Sequence, residues 1–422
     1  MVNYDVIIVG GGPAGLLAAG RAAELGAKVL VLEKMRQEGR KLLITGKGRC
    51  NVTNSAPISE FIKHVFPDGK FLKKSFSQYY SKDILLLLEK YKVDITLERG
   101  GRYFPTSQKS LDILNALLAW MKDLSVEICC GQKVEKLIIE NNAVIGVRAN
   151  GNDLYAKSVI IATGGKSYPA TGSTGDGYQW AKQVGHTIEK VRPALVPLET
   201  KGELAQSLQG LNLKNVNAVV WANQKKLGEA FGEMIFTHFG LSGPIILTLS
   251  RIVGEELEKG SKVEISIDLK PALDEQKLEL RLLRDLNEHG KKRVANIFKN
   301  WLPSSMIPVF IKEIGLNPDK ECHQVSGKER KRIRHMLKNF TFQISNIRTF
   351  KEAIITAGGI STNEIKAKTM ESKLVKGLYF AGEVLDVDAE TGGYNLQIAY
   401  STGWVAGNAA ALSIQSTVPS SQ

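Results

Sequence analysis

Apolar positions along this chain follow two rhythms, and the switches between them fall at glycines. Val6-Ile7-Ile8-Val9 is an unbroken β-branched run, the pattern of a buried parallel strand. Leu16 to Gly26 reads as a helix with Gly26 as its C-cap, and Lys28-Val29-Leu30-Val31-Leu32 restores the strand pattern. Residues 58 to 122 read as mainly helical, with apolar faces at Ile84 to Leu88 and Leu111 to Met121. Residues 126 to 149 alternate as strands around a hairpin at Asn141-Asn142. Ser158 to Ala162 is another buried strand, running into Thr163-Gly164-Gly165. From Ala194 to Leu269 the chain reads as short strands with turns, including Asn217 to Ala222 and Lys262 to Leu269. Helical spacing takes over from Asp274 to Lys338, with apolar stretches at Leu278 to Leu286 and Met306 to Ile314 and a start signal at Ser326-Gly327-Lys328-Glu329. Strand-like sequence resumes at Phe340 to Ile344. Leu378 to Ala381 is a last strand, a helix from Asn395 to Ala411 follows, and a Ser-rich tail begins after Ser413. The expected class is α/β: a Rossmann-like nucleotide-binding domain (residues 1–193 and 357–422) with an inserted β-rich domain (194–273 and 339–356) that itself carries a helical insert (274–338).

The strand-to-helix switch at Gly10-Gly11-Gly12-Pro13-Ala14-Gly15 carries the first chemistry. Gly10 makes the turn, Gly12 lets a pyrophosphate approach the backbone, and Gly15 lets the helix pack on the sheet. Glu33 ends the second strand about twenty residues on, where a carboxylate accepts hydrogen bonds from a ribose diol. This loop does not choose between FAD and NAD. A second glycine-rich segment, Gly377 to Glu383 leading into Thr391-Gly392-Gly393-Tyr394-Asn395, implies that the chain returns to finish the same site. That return indicates a flavoprotein. No second GxGxxG with a following acid is visible, so no dedicated NAD(P)H domain is expected, and the electrons come either from transient NAD(P)H binding or from another donor.

Composition narrows the setting. At 43% hydrophobic and 23% charged residues, the chain has the balance of a soluble globular protein of two or three domains. No apolar run reaches the roughly 18 residues of a membrane helix, and the first apolar stretch lacks the basic flank of a signal peptide. Cys50, Cys129, Cys130 and Cys322 form no CxxC pair, so neither a zinc ribbon nor a dithiol relay is encoded. The expectation is a cytoplasmic protein with free thiols and no metal, with a monomer the simpler oligomeric state. A formal net charge of +13 exceeds what two cofactor phosphates explain and points to an anionic macromolecule, although a solvated basic surface gives the same count.

Several longer motifs resemble the BaiN/RdsA-type family of FAD-dependent oxidoreductases nearly end to end. They are residues 39–54 (Gly39-Arg40-Lys41 through Gly48-Arg49-Cys50-Asn51-Val52-Thr53-Asn54), Gly101-Arg102-Tyr103-Phe104-Pro105 and Ala162-Thr163-Gly164-Gly165. Further on stand Thr237-His238-Phe239-Gly240-Leu241-Ser242-Gly243-Pro244, Thr369-Met370-Glu371-Ser372-Lys373, and the most diagnostic stretch, Ala381 to Asp388 with Thr391 to Asn395. Lys47 departs from the family's usual glycine. The resemblance implies FAD, a two-dinucleotide-type fold and an inserted substrate domain. It also implies one of two reductions: of uridine to dihydrouridine in large-subunit ribosomal RNA, or of a steroid enone.

Both reactions saturate a polarised carbon–carbon double bond, with hydride from reduced flavin N5 and a proton from an acid. The segment from Arg40 to Asn51 is expected to line the flavin, with Arg40, Lys41 and Arg49 supplying charge and Gly48 backbone N–H groups. Thr163, Gly164, Gly165, Gly382 and Glu383 are expected at the cofactor, Glu383 near the ribityl chain. Asn395 and Leu396 are expected at a helix start facing the flavin's pyrimidine carbonyls. Lys34, after the ribose acid, and Val134, after Gly131-Gln132-Lys133, complete that set. Cys50 is a candidate proton donor or else a small buried side chain under the flavin, and His238 is a candidate acid or substrate donor. Substrate choice turns on Lys291, Lys292 and Arg293, with Trp301 nearby, and on Lys328, Arg330, Lys331, Arg332, Arg334 and Lys338. Phosphates need such charges and looped RNA rewards aromatic stacking, whereas a steroid pocket needs neither. Reduction of uridine in ribosomal RNA is thus the leading expectation. The alternatives are a small-molecule enone reductase and a flavin-bearing RNA-binding or assembly protein without turnover.

Overall fold

Val6 to Val9 does become a central, buried strand. Tyr4–Val9 lies between Val29–Glu33 and Asn152–Ile161, parallel to both. Outside these, Glu127–Cys130 pairs with Val29–Glu33, and Leu378–Phe380 pairs in parallel with Asn152–Ile161. The antiparallel strands Ala143–Ala149 and Val134–Glu140 complete a seven-stranded sheet. This is a Rossmann-type sheet, and the glycine loop sits at the carboxyl end of its central strand, where such folds bind ligands. The structure, a computed structural model, describes residues 4–415. The expected Ser-rich tail lies from residue 416 onward outside the described residues.

Two helices pack backbone to backbone over the sheet. Pro13–Glu24 meets the C-terminal helix Tyr394–Gln415, which runs longer than its apolar pattern suggested. Gly403 and Gly407 make the contact. A Cβ on either would sit 2.2 Å from the carbonyl oxygen of Ala14 or Ala18 respectively. This unit comprises the chain up to Pro193 and again from Ile354.

Ala194–Ala353 forms the other unit. Six strands close into a barrel in the order Leu198–Thr200, Gly240–Ser242, Lys225–Thr237, Asn212–Ala222, Val263–Asp268 and Phe340–Ile347. The expectation of short strands up to Leu269 needs correction in two places. Asn212–Ala222 and Lys225–Thr237 span 11 and 13 residues, and Pro244–Glu258 is a helix. Its run of Ile, Leu and Val fits a buried strand and a buried helix equally, but Pro244 at the first helical position after Gly243 fixes the helix. The helical stretch is spliced between Val263–Asp268 and Phe340–Ile347, which pair as neighbours. Its rings join the barrel's core, with Phe310 lying 6.3 Å from Phe340.

The basic helix Gly327–Lys338 starts as its sequence signal suggests. Ser326 and Glu329 form a reciprocal capping box, and Lys320 Nζ donates to both Glu329 oxygens at 2.9 Å. The lysine hydrogen bonds hold the Glu329 carboxyl down to about 2. Because that value lies below the unfolded one, the stabilisation is present above about pH 4.5 and fades as pH falls toward 2. Glu329→Gln is therefore expected to cost roughly 1–3 kcal/mol at neutral pH and to flatten the acid limb of a stability-versus-pH curve. Urea melts across that range check it.

Candidate cofactor site

The glycine loop leaves its backbone open at Gly12. Gly10 has φ +110°, and a Cβ there would lie 2.5 Å from Ala162 O, while one on Gly15 would lie 1.9 Å from Gly10 O. A Cβ on Gly12 would meet nothing within 4 Å. The first intrahelical bond runs from Leu16 N to Gly12 O at 2.9 Å. The N–H groups of Ala14 and Gly15 therefore lack helical acceptors, Pro13 has none to offer, and no side chain caps this end. Such an end suits a pyrophosphate. Glu33 closes the loop from the side, accepting from Gly11 N and Met35 N at 2.8 Å each. Gln132 N donates to Glu33 O at 2.9 Å, which sets Val134 buried at the start of the next strand. The hydroxyl of Thr163 is buried without a hydrogen-bond partner among the described residues.

The returning segment reaches the same place. Gly382, at φ +75°, comes so close to the first helix that a Cβ would lie 2.8 Å from Ala14 Cβ. Beyond it, Asn395 latches the turn before the C-terminal helix: its Oδ1 accepts from Ala389 N (2.9 Å), and its Nδ2 donates to Ala389 O (2.8 Å). The amide of Asn51, oriented by its neighbours, accepts from Gly393 N at 2.9 Å and donates to Thr53 O at 3.2 Å. Both asparagines thereby fix the Gly392-Gly393 turn. The N–H groups of Tyr394, Asn395 and Leu396 open the helix with no acceptor inside it.

Several charged side chains expected at the cofactor are committed elsewhere. Lys34 bonds Asp176 (2.6 Å) and Thr174. Lys41 Nζ lies 2.6 Å from Glu383 and 2.5 Å from Ser167 Oγ. Glu383 also accepts from Ser167 Oγ and Thr356 N at 2.7 Å each, so this carboxylate ties Gly165's neighbours to the closing motif. Arg49 pairs with Glu98 and Gln108 and stacks 4.2 Å over Phe104, which spends its charge on neighbouring segments of the protein. Arg40 is exposed at the start of the short helix Arg40–Ile44, and Gly48 N donates to Thr45 O. Lys47 has φ +59°, a conformation that glycine takes at less cost and that accounts for the family's residue there.

Cys50 is 0% exposed, and burial pushes its thiol up to about 12. No part of that thiol reaches the surface, which favours the packing reading of Cys50 over the proton-donor one. Cys50→Ala is expected to keep bound FAD and turnover within about threefold, against the 10²–10⁴ an acid contributes. It should lose about 1–2 kcal/mol of stability. Flavin absorbance, turnover and a denaturant melt measure all three.

One constellation had no sequence signal. His64 Nδ1 lies 2.8 Å from Glu390 Oε2, and its ring stacks on Tyr394 at 4.7 Å. Glu390 N donates to His64 O at 3.1 Å, because Val65–Phe66 pairs with Asp388–Ala389. The pair is separated by 326 positions and belongs to no motif, so spacing gave no hint of it. The His64 side chain is 30% exposed, with Glu60 Oε1 at 3.9 Å from its other nitrogen.

In the barrel unit, His238 is exposed in the turn between two strands, edge-on to Phe239. The basic residues divide into two sets. Arg330 and Arg334 pair with Glu279, and Lys338 with Asp268, so these three brace the helix against its own unit. Lys291, Lys292, Arg293, Lys328, Lys331 and Arg332 are exposed. Trp301 is 2% exposed and donates to Asp285 at 2.8 Å, which removes it as a stacking platform. An exposed ring stands instead at Phe231, on the strand Lys225–Thr237.

The open backbone at Gly12, the uncapped helix start and the carboxylate at Glu33 fit a dinucleotide, the returning segment at Gly382 fits a flavin-type site, and fold, site and family together define an FAD-dependent oxidoreductase. The HI0933-like protein Rossmann domain matches residues 4–409, and the chain belongs to that family, the BaiN/RdsA-type oxidoreductases. It is 31% identical over 406 residues to the 3-dehydro-bile acid delta(4,6)-reductase of Clostridium scindens, covering 96% of this chain and 98% of that one. It is 30% identical over 405 residues to the ribosomal RNA dihydrouridine synthase of Escherichia coli, covering 96% and 97%. The Sdh1 complex of Mycobacterium smegmatis shares the fold at 17% identity and a TM-score of 0.52, covering 98% of this chain and 68% of that one. FAD-dependent reduction of a carbon–carbon double bond is the chemistry this membership supports. Among the described residues no helix is long and apolar enough to cross a membrane, and no cluster of side chains would hold a metal ion.

Proposed function

We propose that this chain reduces uridine to dihydrouridine in large-subunit ribosomal RNA. The observation that carries the choice over a steroid-like enone is the outward face of the basic helix, where Lys328, Lys331 and Arg332 project into solvent while their neighbours are paired. A hydrophobic small molecule gives such charges nothing to do, whereas phosphates do.

FAD, when bound and reduced, supplies the hydride to the β carbon of the conjugated double bond. The N–H groups of Ala14 and Gly15 would hold its pyrophosphate, Glu33 its ribose, and the N–H groups at Tyr394 to Leu396 its pyrimidine edge. Thr163 to Gly165 and Gly382 line the same crevice. His64 is the acid: Nε2 gives its proton to the α carbon, while Glu390 holds the opposite nitrogen and fixes the ring. That proton and the hydride the cofactor would supply account for the two hydrogens added across the bond, with NAD(P)H the proposed transient source of the electrons. His64→Gln is accordingly expected to lower turnover by about 10²-fold with bound FAD unchanged, and Glu390→Gln by less. Rates near wild type in single-turnover assays would remove His64 from the mechanism.

The reading is tested with purified holoprotein, NAD(P)H and two substrates offered separately: a transcript of large-subunit ribosomal RNA and a conjugated 3-ketosteroid. Formation of dihydrouridine in the transcript is the expected result. Steroid reduction with unaltered RNA would replace it by the small-molecule reading.

A further inference from the structure

Two basic clusters far apart in sequence adjoin in the structure. Val294 N donates to Lys320 O (2.8 Å), Cys322 N to Lys292 O (3.0 Å) and His323 N to Gly290 O (3.0 Å). The strip that this ladder holds then runs straight into Ser326, the cap of the basic helix. Lys291 and Lys292 therefore stand beside the strip that leads into the cap of the helix carrying Lys328. Along the helix the residues part by face. Arg330, Arg334 and Lys338 recur every four positions and turn inward to Glu279 and Asp268. Lys328, Lys331 and Arg332 turn out, with His335 exposed beside them.

Nearby acids are largely spent. Asp319 pairs with Arg293 at 2.9 Å, Glu329 is held by Lys320 and the cap, and Glu321 lies 3.3 Å from His323. Lys291, Lys292, Lys328, Lys331 and Arg332 have no ion pair among the described residues, though Glu288 is exposed close by in sequence.

We infer that these five side chains form one phosphate-binding surface, and that its occupant is the backbone of the RNA substrate. The inference rests on the reading proposed above and deepens it by assigning the grip. RNA is favoured over a lipid surface because the outward positions of the helix carry no apolar side chain, which an interfacial helix requires. With Trp301 buried, the surface positions the RNA by charge and leaves sequence to be read elsewhere.

The test uses FAD-loaded full-length protein and a fluorescent fragment of large-subunit ribosomal RNA, titrated across a salt series. Wild type is expected to show log K falling steeply with log salt, by about 0.7–0.9 per phosphate contacted. The variant K291E/K292E/K328E/K331E/R332E is expected to bind at least about 100-fold more weakly with a much shallower slope, its flavin spectrum unchanged. The corresponding glutamine set, which avoids charge reversal, should fall between the two. R330Q/R334Q should keep the wild-type slope while losing thermal stability. If the glutamine or glutamate set keeps both flavin and the wild-type slope, the surface is misassigned, and the substrate reading then stands only on the RNA binding of wild type and on dihydrouridine formation in the transcript. If wild type itself binds no RNA, the substrate reading fails and takes this inference with it.

Discussion

Gly12→Ala is expected to leave the apo-protein as stable as its parent and yet to strip it of FAD. The two halves of this outcome come from one observation. A Cβ on Gly12 meets no protein atom within 4 Å, and the residue's φ of −85° suits alanine, so the fold has no reason to object. That same direction is where a pyrophosphate must approach the N–H groups of Ala14 and Gly15. A methyl group there is expected to weaken FAD by at least about 100-fold, or some 3 kcal/mol, with urea midpoints of the apo forms coinciding. Gly15→Ala provides the contrast. Its Cβ would lie 1.9 Å from Gly10 O, so both stability and flavin should be lost. Normal flavin binding by Gly12→Ala would mean that the cofactor does not use this loop as argued.

Gly403→Ala and Gly407→Ala should each produce a large loss of stability. In an exposed helix such changes gain about 1 kcal/mol from helix propensity. Here each new methyl would lie 2.2 Å from a backbone oxygen of the first helix, which has no rotamer by which to yield. Overpacking of this kind outweighs the gain, and a net cost of at least about 2 kcal/mol is expected for each. Since the first helix also begins the glycine loop, flavin occupancy should fall with stability. Equal or higher urea midpoints would show that the two helices can separate without cost.

How far the sequence led depends on how local the determining interaction is. The strand at Val6 to Val9, the glycine turn and Glu33 follow one another within a single βαβ unit, so their pattern carries the geometry. The capping box at Ser326 and Glu329 is equally local. The helix Pro244–Glu258 escaped notice because its apolar run satisfies both periodicities. Charge misled more deeply. Arg330 and Lys331 are neighbours in a basic run, yet Arg330 meets Glu279 from another helix, 51 positions away, while Lys331 faces solvent. Sequence counts cations; the fold decides which ones remain available. Likewise Cys50 occupies a cofactor-like motif but lies beneath the surface, and the His64–Glu390 pair arises from a two-residue strand pairing that no spacing rule anticipates.

The proposed substrate is a uridine in large-subunit ribosomal RNA. Mass spectrometry of that RNA from cells lacking this protein, and from the same cells complemented with it, is the deciding measurement. The expected result is one uridine position that carries two extra hydrogens in the parent, loses them in the deletion, and regains them with wild type but not with Gly12→Ala. RNA identical in all strains would contradict the claim and direct the search to small conjugated carbonyl compounds.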